Sequence, residues 1–389
     1  ERKYYKNELY QILKTQSEFH EELRDKQLYI ACLNELYPNN EPRRNSISTR
    51  DFCHLFIEDI IFYQRPLKSK KSLIDNCPYE ENRYIDKESG CLTELGIKAL
   101  EPYKVNNAVI LAAGSSTRFI PLSLEQPKGL FEVRGEKLIE RQIEQLQNAG
   151  IKNITIVLGY KKEMFFYLED KYGVKFIIND SFNIKNNIES LYLAKEELKN
   201  TYICVSDSYY IENPFNQYEY ITYYSGYRGN LITEEIYADV DSDGKIVCMD
   251  NKPVDNGYIL MGHSFWKKEF SDSFINVMED IRDDGKYNNS YWEILLKDKL
   301  SDLPSMYVRE YKKGNIFEFD YFEELRKFDS QYLGYTHSEI IRNIKLVFRC
   351  DEEDIVAFRN VSEGMTNISF IFNIDGVDYI YRHPGDGTE

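Results

Sequence analysis

One stretch near the middle of the chain constrains it most: Leu111-Ala112-Ala113-Gly114-Ser115-Ser116-Thr117-Arg118-Phe119, followed by Pro127-Lys128-Gly129-Leu130. Ahead of it, Asn107–Leu111 is an apolar run of the kind that forms a buried parallel strand. Behind it, Leu138, Ile139, Ile143 and Leu146 recur at the spacing of a helix face. A strand that empties into a loop of small residues suits phosphate. Gly114 and the serines let backbone N–H groups approach an anion, and the Arg118 guanidinium can fork onto its oxygens. Lys128 adds a second positive charge from the same side. A bare Gly-Ser-Ser would be read as an ordinary turn; here the whole string carries the weight.

The surrounding segment, residues 105–330, alternates strands with helices. Strands are expected at Ala108–Leu111, Ile154–Leu158, Lys175–Ile178 and Tyr202–Val205, and helices over 137–149, 161–171 and 188–199. This alternation predicts an α/β, Rossmann-like fold with a mainly parallel sheet covered on both faces. Ligands of such sheets bind beyond the carboxyl ends of strands. Asp207 lies just past the apolar run Tyr202–Val205, after Ser206, a position suited to a divalent metal held over bound phosphates. An N-cap or turn aspartate would have the same local sequence. Gly159-Tyr160, just past another strand, is a candidate cavity wall.

The net charge of −16 argues against general nucleic-acid affinity, and it requires that phosphates be met by local cations or metal. Seven scattered cysteines without a C-x-x-C pair read as reduced thiols, which suggests a cytoplasmic setting. No apolar run reaches the length of a membrane span.

The string Leu111–Phe119, Pro121-Leu122-Ser123 and Pro127–Leu130 resembles the signature of nucleotidyltransferases that activate small phosphorylated molecules with NTP. Ser116 stands where many relatives have Gly. Asn186-Asn187-Ile188-Glu189-Ser190-Leu191 resembles a segment of the phosphocholine cytidylyltransferase-like branch. The resemblance implies a Mg²⁺-dependent reaction of CTP with phosphocholine, giving CDP-choline and pyrophosphate. It implies nucleotide contacts from Leu111, Ala112, Ala113, Gly114, Ser115, Ser116, Thr117, Arg118, Lys128, Tyr160, Asn187 and Ser190. Arg118, Lys128 and Asp207 would be the catalytic groups. Asp207 would share Mg²⁺ with a second late aspartate, here Asp320; it is preferred to Glu318, which is expected on the opposite strand face. A quaternary ammonium donates no hydrogen bonds and is held by aromatic faces with carboxylate help. Tyr192, Tyr210, Trp292 and Glu293 are the candidates, with Trp266 a lesser one, and His263 is read as structural. A sugar-1-phosphate nucleotidyltransferase using UTP or dTTP is the alternative within enzymes.

The flanks read differently. In residues 1–80, Glu58–Ile74 resembles part of the recognition lobe of type II CRISPR RNA-guided nucleases. This implies RNA contact through Arg65, Lys68, Lys70 and Lys71, and an RNA-binding or non-catalytic composite chain as another class of function. Residues 81–104 form a junction whose Leu92–Lys104 resembles the end of a winged helix. Residues 331–389 carry Gly364-Met-Thr-Asn-Ile-Ser-Phe370 and two alternating runs turned at Asp375-Gly376. They resemble the opening of a choline kinase-like small lobe, with Arg382 near an expected nucleotide contact. Its strands are expected to lack partners.

Overall fold

The computed structural model describes residues 94–229, 235–253, 257–282, 285–334, 336–361 and 367–384. Residues 1–80, with the expected RNA-contact strip Arg65, Lys68, Lys70 and Lys71, and most of the 81–104 junction up to residue 93 lie outside them.

Four apolar runs build the centre of the sheet: β1 (Asn107–Ala112), β2 (Ile154–Leu158), β3 (Lys175–Ile178) and β4 (Thr201–Val205). They pair in parallel in the order β4-β1-β2-β3, with Ala108 opposite Ile154 and Asn107 opposite Thr201. After the short β5 (Ser208–Tyr210) the chain adds β6 (Tyr223–Arg228), β7 (Tyr237–Val240), β8 (Ile246–Asp250) and β9 (Tyr258–Trp266). β9 runs antiparallel to β4, β6 and β7, so the sheet continues beyond its parallel half as a mixed one. β10 (Tyr307–Glu310) closes it, parallel to β6.

Alternation along β1 explains the two layers. Val109 and Leu111 enter one apolar core, with the fully buried Trp266 and Leu295. Ala108, Ile110 and Ala112 enter the other, with Ile139, Ile143 and Leu146 of α1 (Leu138–Asn148). The first core is covered by α2 (Asn187–Leu193), α3 (Lys268–Asp280) and α4 (Trp292–Lys299). The expected helix over 188–199 is α2 followed by a separate 3₁₀ turn at Lys195–Glu197, and that over 161–171 is likewise divided. Among the described residues no helix is long and apolar enough to cross a membrane.

The C-terminal part is not left without partners. β11 (Ile316–Glu318) pairs with β5, then come α5 (Phe322–Phe328) and α6 (Glu339–Phe348). β12 (Val356–Val361) pairs with β13 (Asn367–Ile374), and β13 with β14 (Val377–Pro384), through the expected Asp375-Gly376 turn, both residues at positive φ. Phe370, Phe372 and Ile374 bury one face of this sheet in a third core, which also contains Phe119, Ile120, Leu122 and Leu124 from beside the phosphate loop. Glu125 accepts the Ile340 N–H at 2.9 Å, and Tyr332 donates to the Glu132 carbonyl at 2.7 Å. The apolar side of the hairpin found a partner that its local sequence could not reveal.

Phe370→Ala is expected to lower the unfolding free energy by about 3–5 kcal/mol, because it opens a cavity in this shared core. Urea denaturation measures it; a loss below about 1 kcal/mol would mean that the sheet does not pack there.

Candidate active site

The small residues of the loop are each put to use by the local backbone. Ser116 has φ 52°, the left-handed region, which accounts for Gly being common at this place. A Cβ at Gly114 would meet nothing within 4 Å, so this side of the loop is open to a ligand. A Cβ at Gly159 would lie 2.7 Å from the Ala113 carbonyl oxygen, and Tyr160 N–H donates to that same oxygen at 3.0 Å. Gly159 thus lets β2 clamp the loop. Gly129 rests against Ser206, where a Cβ would come within 3.1 Å of the Ser206 Cβ. This close fit carries its neighbour Lys128 to the end of β4.

There Lys128 Nζ lies 2.6 Å from Asp207 Oδ2 and 3.8 Å from Asp320 Oδ1. Arg118 reaches Asp320 Oδ1 at 2.9 Å. Asp320 arrives through the β5–β11 ladder, in which Ser208 stands opposite Glu318. Glu318 also faces the cavity, against expectation. Residues two apart share a strand face, so Glu318 and Asp320 enter together. Gly262 N–H donates to Glu318 Oε2 at 2.9 Å.

These groups line one cavity of about 550 Å³, together with Glu235 and Glu293. Burial raises the pKa of Glu318 well above the usual carboxylate range, and Glu235, Asp207 and Asp320 raise it further. Burial, then Asp320 and Asp207, push Glu235 up to about 8. Burial raises Asp320 as well, opposed by Lys128 and Arg118. Glu293 is pushed up to about 7 by burial.

The residues fit a divalent cation. Asp207 Oδ1 is buried and has no hydrogen-bond donor. Among the described residues no group of three potential ligands occurs, so an ion held by Asp207 and Asp320 would draw its other ligands from phosphates and water, as Mg²⁺ commonly does.

Leu111–Arg118, Lys128, Asn187 and Ser190 all line the cavity, and Ser190 Oγ accepts from Asn179 Nδ2 at 2.9 Å. Tyr160 stands behind the wall, its hydroxyl donating to the Ser123 carbonyl at 2.9 Å. Of the aromatic candidates none lines the cavity. Tyr210 is buried edge-on against Phe215 and His263. Trp292 is buried, stacked on Tyr224 and edge-on to Trp266. Tyr192 lies under the Arg282 guanidinium, 3.7 Å from its ring centroid. The large apolar surfaces of Tyr210, Trp266 and Trp292 were taken into the core, and Tyr192 is half-buried against it. Tyr224 and Tyr291 line the cavity in their place, and Tyr224 lies 3.4 Å from Glu293 Oε1. Asn179 was legible by the rule that found Asp207, since it directly follows β3. Glu235 and Tyr224 carry no such signal.

The parallel half of the sheet presents at its carboxyl end a phosphate loop, two cations and paired aspartates, the arrangement of a nucleotidyltransferase. Residues 108–213 match the MobA-like NTP transferase domain family. The choline-phosphate cytidylyltransferase of Streptococcus pneumoniae is 38% identical over 225 residues, covering 57% of this chain and 96% of the relative. The 2-aminoethylphosphonate cytidylyltransferase of Lancefieldella rimae is 31% identical, covering 58% and 93%. A solved structure of the CTP:phosphocholine cytidylyltransferase from Streptococcus pneumoniae superposes with a TM-score of 0.55 at 36% identity, covering 58% of this chain and 97% of that one. The chain belongs to the family of choline-phosphate cytidylyltransferases.

Unfolded, Glu235 and Glu293 release protons near pH 4.5; folded, they keep them to about 8 and about 7. The folded state therefore binds more protons across this window, and stability falls as pH rises through it. The melting temperature without ligands is expected to drop between about pH 5 and about pH 8, and to drop less in a Glu235→Gln/Glu293→Gln variant. Parallel profiles for the two proteins would contradict these shifts.

Proposed function

We propose that the chain transfers the cytidylyl group of CTP to phosphocholine, giving CDP-choline and pyrophosphate. The observation that carries this reading is the charge imbalance of the cavity. Asp207, Glu235, Glu293, Glu318 and Asp320 line it against Arg118, Lys128 and Lys185, and Lys185 is already paired with Glu189 at 3.0 Å. Buried carboxylates in excess keep their protons until cations take their place. A metal ion and a cationic acceptor would supply them. The two relatives named above act on choline-phosphate and on 2-aminoethylphosphonate, which share a cationic nitrogen and an anionic phosphorus group. A sugar 1-phosphate would bring no cation to this excess of carboxylates.

The reaction is an in-line displacement. An oxygen of the acceptor phosphate bonds to the α-phosphorus of CTP, the bond from that phosphorus to the β-phosphate oxygen breaks, and pyrophosphate leaves. The nucleophile is already anionic, so positioning and charge neutralisation carry the catalysis. Arg118, Lys128 and the N–H groups of residues 113–117 hold the triphosphate. Asp207 and Asp320 would hold Mg²⁺, which supplies neutralisation of phosphate charge when bound. Tyr224 and Tyr291 offer ring faces, and Glu293 a carboxylate, to the ammonium end.

The choline kinase-like reading of residues 331–389 is supported only by the three-stranded antiparallel sheet β12–β14. RNA contact through residues 1–80 rests on sequence alone.

Phosphorus NMR of CTP, phosphocholine and Mg²⁺ with the enzyme is expected to show a diphosphate diester and pyrophosphate, and neither with chelator present. Asp207→Ala is expected to abolish both signals while circular dichroism stays native. Undiminished pyrophosphate release from that variant would sink the assignment. Lys128→Ala is expected chiefly to raise the KM for CTP, by about tenfold or more.

A further inference from the structure

We propose that Asn187 is a positioning residue of the acceptor side, aiming the Glu293 carboxylate at the cationic end of the acceptor, rather than a contact to the nucleotide. This rests on the reading that the acceptor carries a cationic nitrogen.

Asn187 opens α2, and its carboxamide spans to the start of α4. Its Oδ1 accepts the Trp292 N–H at 2.8 Å. Its Nδ2 lies 3.4 Å from Glu293 Oε2. The first N–H groups of a helix have no partner within it. α4 lacks a side-chain cap of its own, since its N-cap residue Tyr291 makes no such bond. Asn187 therefore caps α4 from another helix and in the same act orients the carboxylate in its first turn. One acceptor and one donor of the carboxamide are thereby committed, which leaves it little with which to read a base.

The choice of residue type has a physical consequence. Glu293 is touched at Oε2 by Asn187 and at Oε1 by the Tyr224 hydroxyl, both neutral donors. Among the described residues it makes no ion pair. Lysine or arginine in place of Asn187 would cancel the charge of the carboxylate and could not accept the Trp292 N–H. A neutral amide fixes the direction and keeps the charge for the ligand. Asn187 also ties together the wall formed by α2, which carries Ser190, and the wall formed by α4.

Steady-state kinetics of the wild type, Asn187→Ala, Glu293→Gln and the double variant test this. Asn187→Ala is expected to raise the KM for phosphocholine about tenfold and to leave the KM for CTP within about twofold. In the Glu293→Gln background the same change is expected to add less than about twofold, because its target is gone. A raised KM for CTP with phosphocholine unaffected, or additive effects in the double variant, would overturn the proposal. Should Asn187→Ala fail to fold, Asn187→Asp keeps the acceptor for Trp292 N–H, loses the donor to Glu293, and must give the same split. If the wild type does not use phosphocholine, the functional reading has failed. The same four proteins assayed with 2-aminoethylphosphonate then decide the role of Asn187. Use of neither acceptor overturns both.

Discussion

The contact between Lys128 and Asp207 organises the site. It exists because β1 and β4 lie side by side in parallel, so that the phosphate loop and Asp207 leave the sheet at the same edge. It also needs Gly129, whose missing side chain allows the Pro127–Leu130 turn to settle against Ser206. Phe119 supplies the third support. It is buried in the C-terminal core, and Lys128 Nζ lies 4.8 Å from its ring centroid. A small shift of any one of these would separate the lysine from the carboxylate, and with them the phosphate loop from the paired aspartates.

The cavity is arranged at some electrostatic cost. Buried carboxylates that raise one another's pKa destabilise the protein at neutral pH when nothing neutralises them. Such a cost is common at functional sites, where the ligand supplies the compensating charge. The aromatic faces and the neutral donors around Glu293 are consistent with this: they shape and orient without discharging the carboxylate.

Sequence made the phosphate-loop side of the cavity legible and the side around Glu293 obscure, for a physical reason. A buried strand, a small-residue loop and a carboxylate at a strand end are local patterns that single out the phosphate loop, Lys128 and Asp207; it was the family resemblance that joined Asp320 to them. Glu318 needed only the strand period applied correctly. The wall around Glu293, proposed to take the acceptor, is assembled from α2, β6 and α4, which are far apart in the chain, and nothing local tells a tyrosine that lines a cavity from one that fills a core. Hence Tyr210, Trp292 and Tyr192 went to the interior or the outer surface, while Tyr224 came forward. The same limit applies to the C-terminal sheet, whose apolar face shares its core with the nearby Phe322, Ile340 and Ile344 and also with Phe119–Leu124, more than 200 positions away.

The most direct measurement is a panel of CTP, UTP and dTTP crossed with phosphocholine, 2-aminoethylphosphonate and glucose 1-phosphate, scored by pyrophosphate release. A cavity built to meet a triphosphate, a metal ion and a cationic nitrogen predicts the highest kcat/KM for CTP with phosphocholine, and little turnover with the sugar phosphate. A clear preference for glucose 1-phosphate with any of the three nucleotides would contradict it.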